Sequence, residues 1–210
     1  LKAWDGHRAG AKKVEKVIEW CLDLGIKQIS FYTLSTENLE KRPKKEIKEL
    51  FKILYEYVEK LLNEKFSLLE KYDVRVRFVG NLNKLPKGLI KLMGKLMEKT
   101  AKHQKRFLNF LVAYGGKSEL LHAFKKLAEK VVKLGKIEIR EKDIEENLWI
   151  SEPVDLIIRT GGYSRLSNFL IWQASYSELY VTKTLWPDFR KRDLIRAINW
   201  FSSIRRNFGK

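Results

Sequence analysis

Strands alternating with helices along the chain predict an α/β fold, an open and mostly parallel sheet flanked by helices. Two observations carry this: short buried-type apolar runs such as Val154–Ile158 (VDLII), and long segments such as Lys44–Lys71 whose apolar residues recur every three or four positions. Taken in order, helix 9–24 leads into strand 28–34, and the long helix 44–71 into strand 75–79. Helix 86–101 starts at a proline, which favours a first turn, and precedes strand 106–114. Helix 117–134, strand 156–159, helix 167–177, strand 178–181 and helix 191–201 complete the alternation. In such sheets ligands bind beyond the carboxyl ends of the strands, and Ser35, Arg42 and Arg159 are expected just past them.

A chain of 210 residues can bury one substantial core, so a single domain is expected, and no linker, repeat or low-complexity tract interrupts it. No apolar run approaches the about eighteen residues that span a bilayer, and the opening LKAWDGHRAG is no signal peptide. The lone Cys21, among helical neighbours, reads as an inert core thiol. A cytoplasmic protein that can lie against a membrane is expected. The net charge of +17 raises nucleic-acid binding as a rival. That charge is spread through helices with glutamates at helical spacing beside lysines, as in KRPKKEIKELFKILYEYVEK, which describes a solvated face. No nucleic-acid-binding signature accompanies it, so no nucleic acid is expected as partner.

The segment Arg159–Pro187 (RTGGYSRLSNFLIWQASYSELYVTKTLWP) is the most informative. It gathers two arginines, two adjacent glycines, hydroxyls and a glutamate around an apolar run. With a strand before it and a helix body over Asn168–Tyr176, the glycines fall at a strand-to-helix turn, where free N–H groups and the helix dipole favour anions. The alternative is an ordinary Thr-Gly-Gly turn with solvated arginines. Glu178 lies at the start of the next strand, a boundary where functional side chains often sit.

This segment resembles the C-terminal signature of the cis-prenyltransferases, the undecaprenyl diphosphate synthase family. Four further blocks match that family in order: GHRAG at Gly6–Gly10, FYTLSTENLEKRP at Phe31–Pro43, RVRFVGNLNKLP at Arg75–Pro86 and AYGGKSEL at Ala113–Leu120. The resemblance implies condensation of isopentenyl diphosphate with an allylic prenyl diphosphate, an apolar tunnel for the growing chain, Mg²⁺ as cofactor and a homodimer. It implies substrate contacts at His7, Ser35, Thr36, Arg42, Arg159, Arg165, Leu166 and Ser167, reacting-end roles for Glu37 and Asn38, and Mg²⁺ binding at Glu178. Arginine suits diphosphate because it donates two parallel hydrogen bonds to phosphate oxygens. An amide is a poor base, so Asn38 would orient a diphosphate oxygen or a water that takes the proton.

Structural alternatives stand beside these roles. Ser35 or Thr36 can cap a helix with Glu37 nearby, and His7 can cap the helix it precedes. His103 and His122 match no motif and read as structural or exposed, and Trp186 as a packing anchor. The family's leading Asp-Gly-Asn-x-Arg loop has no counterpart among the six residues before His7, so a chain lacking the first strand and that loop is expected. Family members that serve as non-catalytic partner subunits are the alternative, but they lose S-T-E-N or R-T-G-G residues that this chain keeps. The tail IRRNFGK resembles the family's C-terminal segment that reaches a partner's site. Tyr163, Ser164 and Ala113 suggest the archaeal or eukaryotic side of the family and a geranylgeranyl primer.

Overall fold

The structure, a computed structural model, describes residues 3–63, 68–135 and 138–206 and falls into two units, Leu1–Tyr114 and Gly115–Lys210. The first unit runs α1 (Ala3–Asp23), β1 (Gln28–Ser35), α2 (Thr36–Lys41), α3 (Lys44–Asn63), α4 (Leu68–Lys71), β2 (Val74–Val79), α5 (Lys87–Lys99) and β3 (Arg106–Tyr114). Its three strands form a parallel sheet in the order β1-β3-β2, with Gln28 opposite Phe107 and Val74 opposite Arg106. The central strand is buried from Leu108 onward, as its near-continuous apolar run demands of a parallel strand covered on both faces. Phe110 stacks between Phe31 and Phe78, with ring centroids 6.0 and 5.3 Å away, and ties the three strands together. Helix α1 packs on α3 and α3 on α5, burying Ile18, Leu22, Leu54, Val58, Met93 and Leu96 in one core.

The second unit runs α6 (Gly116–Leu134), α7 (Glu141–Glu145), β4 (Leu156–Arg159), β5 (Glu178–Val181) and α8 (Lys191–Ser203). Strands β4 and β5 pair in parallel, Leu156 opposite Glu178 and Arg159 opposite Val181. Helix α6 ends at Gly135, whose φ of 76° and N–H bond to the Val131 carbonyl (2.9 Å) close the last turn.

Every strand expected from the sequence is present, and each observed strand pair is parallel. The expected helix 44–71 is seen as α3 and α4, and residues 64–67 lie outside the described residues, as do 207–210 of the expected tail. Two short helices, α2 and α7, were not expected. The expected helix 167–177 is absent: the segment is a succession of turns, with positive φ at Ser167, Asn168 and Leu170. Its polar groups are engaged elsewhere. The Asn168 carbonyl and Oδ1 accept from the Gly116 and Lys117 N–H groups at the start of α6 (2.7 and 2.9 Å), and Gln173 Nε2 donates to the Ile150 carbonyl (2.6 Å).

The sequence-level readings of structural side chains hold. Cys21 is buried, and burial pushes its thiol up to about 12, which keeps it protonated and inert. His103 is buried with Nδ1 2.9 Å from the Val74 carbonyl, the His122 ring lies tilted against that of Trp149 with centroids 5.3 Å apart, and Trp186 stacks on Phe189. No helix among the described residues is long and apolar enough to cross a membrane.

Candidate functional site

In the first unit the candidate residues converge where β1 gives way to α2. Ser35 ends the strand in extended backbone and its hydroxyl accepts the Asn38 N–H (3.1 Å), so the capping alternative describes its role in the structure. The cap fixes the S-T-E-N run as a single helical turn. Thr36 is buried and donates to a Glu37 carboxylate oxygen (3.2 Å), whereas the side-chain amide of Asn38 makes no hydrogen bond among the described residues. Beside them, burial pushes the Tyr32 phenol up to about 12, with the charge of Glu37 adding to the effect.

His7 lies within α1 rather than ahead of a helix, so it caps nothing. Arg42 follows helix α2 rather than a strand, because the unexpected turn of helix intervenes. The two nevertheless meet: Arg42 Nη1 is 3.2 Å from His7 Nε2, and both contact Glu46 Oε1, at 2.6 and 2.9 Å. Sequence reasoning missed Glu46. Its only signal was the position four residues after Arg42, where a helical ion pair is expected. The hydrogen bond from His7, followed by the charge of Arg42, holds the Glu46 carboxyl below its usual range. The depressed folded value means that this stabilisation is present above the ordinary carboxyl value of 4.5 and is lost as pH falls through the folded one. Glu46→Gln should therefore lower unfolding stability by about 1 kcal/mol or less near neutrality. The difference from the parent should vanish in acid, as read by urea melts across pH.

In the second unit Arg159 ends β4, and its Nη1 donates to the Ser167 hydroxyl (3.0 Å) and to the Arg165 carbonyl. Its Nε is buried without a hydrogen-bond partner among the described residues. Arg159 and Arg165 both approach the Tyr163 ring, at 6.0 and 4.4 Å from its centroid, and neither pairs with a carboxylate among the described residues. Burial and then the charge of Arg165 lower the Arg159 pKa, so the pair is a positive site that gains from an anion. Leu166 precedes Ser167 in the same loop, and Ser167 is held at φ 51°. The glycines act differently from expectation. Gly161 N–H donates to the Thr184 carbonyl (3.0 Å) and Gly162 N–H to that of Thr182 (2.9 Å), and no helix follows them, so neither amide is available to an anion. The positive charge of this loop is carried by the side chains of Arg159 and Arg165.

Glu178 does not join this group. It opens β5 opposite Leu156, three ladder positions from the Arg159–Val181 pair, about 10 Å along the strands. Among the described residues it faces Arg206, whose Nε is 3.8 Å from Oε1, while Arg206 Nη1 holds Asp155 (3.0 Å). No cluster of three His, Cys, Asp or Glu side chains occurs among the described residues. A single partly exposed carboxylate still suits Mg²⁺, which binds through one or two carboxylates and completes its shell with phosphate oxygens and water.

Residues 1–209 match the model of the Prenyltransf family, described as "Putative undecaprenyl diphosphate synthase". The chain is 44% identical to tritrans,polycis-undecaprenyl-diphosphate synthase (geranylgeranyl-diphosphate specific) of Methanopyrus kandleri, covering all of this chain and 78% of the relative. It is 41% identical to an isoprenyl transferase of Aquifex pyrophilus, over 98% of this chain and 86% of that one. Among solved structures, a probable undecaprenyl diphosphate synthase of Campylobacter jejuni superposes with a TM-score of 0.84 at 37% identity, over 96% and 92% of the two chains. Lavandulyl diphosphate synthase from Lavandula x intermedia, in complex with dimethylallyl diphosphate, superposes with a TM-score of 0.91 at 29% identity, over 100% and 90%.

Proposed function

The chain belongs to the undecaprenyl diphosphate synthase family, and on that premise we propose that it elongates prenyl diphosphates in cis, as one catalytic domain. In each cycle the allylic carbon–oxygen bond breaks with departure of pyrophosphate, a new carbon–carbon bond forms to isopentenyl diphosphate, and one proton is lost. The observation that carries this reading is the Arg159–Arg165 pair, two guanidinium groups without carboxylate partners among the described residues, beside the Ser167 hydroxyl.

Arg159, Arg165 and Ser167 bind the diphosphate of isopentenyl diphosphate, with Leu166 against it, since guanidinium forks match phosphate oxygens and a hydroxyl adds a third donor. His7, Ser35, Thr36 and Arg42 take the allylic diphosphate. Asn38, whose side-chain amide has no partner among the described residues, orients the group that accepts the proton, and Glu37 steadies that turn. Glu178 would hold Mg²⁺, which when bound stabilises charge on the departing diphosphate. Glu178→Gln removes that ligand charge and should lower transfer by about tenfold to a hundredfold, with a higher Mg²⁺ requirement in the titration. The chain acts as a homodimer in the cytoplasm, the assembly being measurable by sedimentation equilibrium. The primer class proposed is geranylgeranyl diphosphate, after the specificity that the archaeal relative's name carries.

The test is incubation of the full-length protein with labelled isopentenyl diphosphate, Mg²⁺ and geranyl, farnesyl or geranylgeranyl diphosphate in turn. Product longer than the primer is expected, with geranylgeranyl diphosphate preferred. If no primer is extended in the presence of Mg²⁺, the catalytic reading fails and a supporting role beside another chain replaces it.

A further inference from the structure

A single aromatic ring, that of Tyr163, meets both arginines of the loop that ends at Ser167. Tyr163 follows a turn tied at both of its glycines, where the Gly161 and Gly162 N–H groups donate to the Thr184 and Thr182 carbonyls at 3.0 and 2.9 Å, so its backbone leaves from a fixed base. The residue is 57% exposed, yet its ring is engaged on the protein's own charges. The guanidinium carbon of Arg165 lies over it, 4.4 Å from the centroid, and that of Arg159 at 6.0 Å. Cation–π attraction reaches to about 6 Å, so one ring serves both cations.

The two cations differ in what else holds them. Arg159 is placed by its bonds to the Ser167 hydroxyl (3.0 Å) and the Arg165 carbonyl. The exposed Arg165 side chain makes no hydrogen bond or ion pair among the described residues, and a long side chain of this kind costs entropy to order. The Tyr163 ring is what orders it. A carboxylate at the same place would hold both guanidinium groups by taking up their paired N–H donors, the ones that a diphosphate needs. A ring face attracts a cation through its quadrupole, adds no net charge and leaves the guanidinium fork to an incoming anion. We infer that Tyr163 is a positioning residue for isopentenyl diphosphate, its ring holding the Arg165 guanidinium on the same support as Arg159 with the Arg165 N–H donors unspent. This rests on the reading of Arg159 and Arg165 as the isopentenyl diphosphate site.

Calorimetric titration of the full-length protein in Mg²⁺, with isopentenyl diphosphate alone or geranylgeranyl diphosphate alone, reads each binding event without turnover. Tyr163→Leu keeps an apolar side chain but no π face, and should weaken isopentenyl diphosphate binding by about threefold to tenfold, the scale of one cation–π contact. Tyr163→Phe keeps the face and should bind as the parent does. Geranylgeranyl diphosphate, assigned above to His7, Ser35, Thr36 and Arg42, should bind all three proteins alike. Tyr163 is exposed, so the melting temperatures should also agree, and Tyr163→Gln replaces Tyr163→Leu if they do not. The inference is overturned if Tyr163→Leu binds isopentenyl diphosphate as the parent does. It is equally overturned if Tyr163→Phe is as weak as Tyr163→Leu, since the hydroxyl would then be the acting group, or if binding of both diphosphates falls together, which marks a general loss of structure. Arg159→Ala in the same titrations separates this inference from the reading beneath it. If the parent binds no isopentenyl diphosphate, or Arg159→Ala binds it as the parent does, the site reading fails and takes the inference with it. If Arg159→Ala binds weakly and Tyr163→Leu normally, only the role of Tyr163 falls.

Discussion

Arg159→Ala should lower kcat/KM for isopentenyl diphosphate by about a hundredfold to a thousandfold, the scale of losing a preorganised charged donor in a phosphate site. Two consequences of the substitution act together. It removes one of two guanidinium groups that face no carboxylate among the described residues, and it releases the Ser167 hydroxyl and the Arg165 carbonyl, both of which Arg159 holds. The loop then loses the tie that keeps Ser167 at φ 51°, a conformation that a non-glycine residue adopts only when its surroundings impose it. Arg159→Lys should recover only part of the loss, because an ammonium restores charge without the fork. Stability should behave in the opposite way. Burial and the neighbouring Arg165 both disfavour the Arg159 charge, so its removal should leave the melting temperature unchanged or slightly raised. Initial rates over a range of isopentenyl diphosphate concentrations, with melts of the same preparations, separate binding loss from unfolding. Unaltered kcat/KM in the alanine variant would remove Arg159 from the substrate site.

How far this could be read in advance differs by element, for physical reasons. The parallel strands were legible because a strand covered on both faces must be apolar almost throughout, as β3 is. Segment 167–177 misled because Leu166, Phe169, Leu170, Ile171 and Trp172 imitate a helical stripe. What opposes the helix is tertiary: Asn168 satisfies the N–H groups at the start of α6, a bond across about fifty residues of chain. The same distance hid Glu46, whose contact with His7 spans 39 residues and depends on α1 lying against α3. The glycines of R-T-G-G were rightly singled out as conformationally special, with φ of 87° and 79°. Their amides, however, are joined to the chain just beyond β5, a pairing that only the fold reveals. Ala113, noted for its difference from relatives, is the last but one residue of β3 and is held at φ 50°, a region that asparagine enters more readily than alanine does.

Gly80→Ala should destabilise the protein by about 4 kcal/mol or more, enough to abolish soluble folded protein in a chain of ordinary stability. A Cβ at Gly80 would lie 2.0 Å from the Val112 carbonyl oxygen, 3.0 Å from the Val112 carbonyl carbon and 3.2 Å from that of Ala113. All three atoms are backbone of the central strand, so no side-chain rotation relieves the contact. Gly80 also has φ 135°, which an L side chain rarely adopts, and the next residue is tied in place by the Asn81 N–H bond to the Ala113 carbonyl (3.1 Å). The chain leaving β2 thus crosses against β3 backbone to backbone. Gly94 is the matched control, because it lies inside α5 where a Cβ would meet nothing within 4 Å, and Gly94→Ala should gain up to about 1 kcal/mol. Urea denaturation of the two variants beside the parent distinguishes a packing requirement from a general intolerance of glycine replacement. A folded Gly80→Ala protein with parental stability would show that β2 and β3 part more easily than this close approach allows. In the block RVRFVGNLNKLP, then, the glycine answers to the geometry of the sheet.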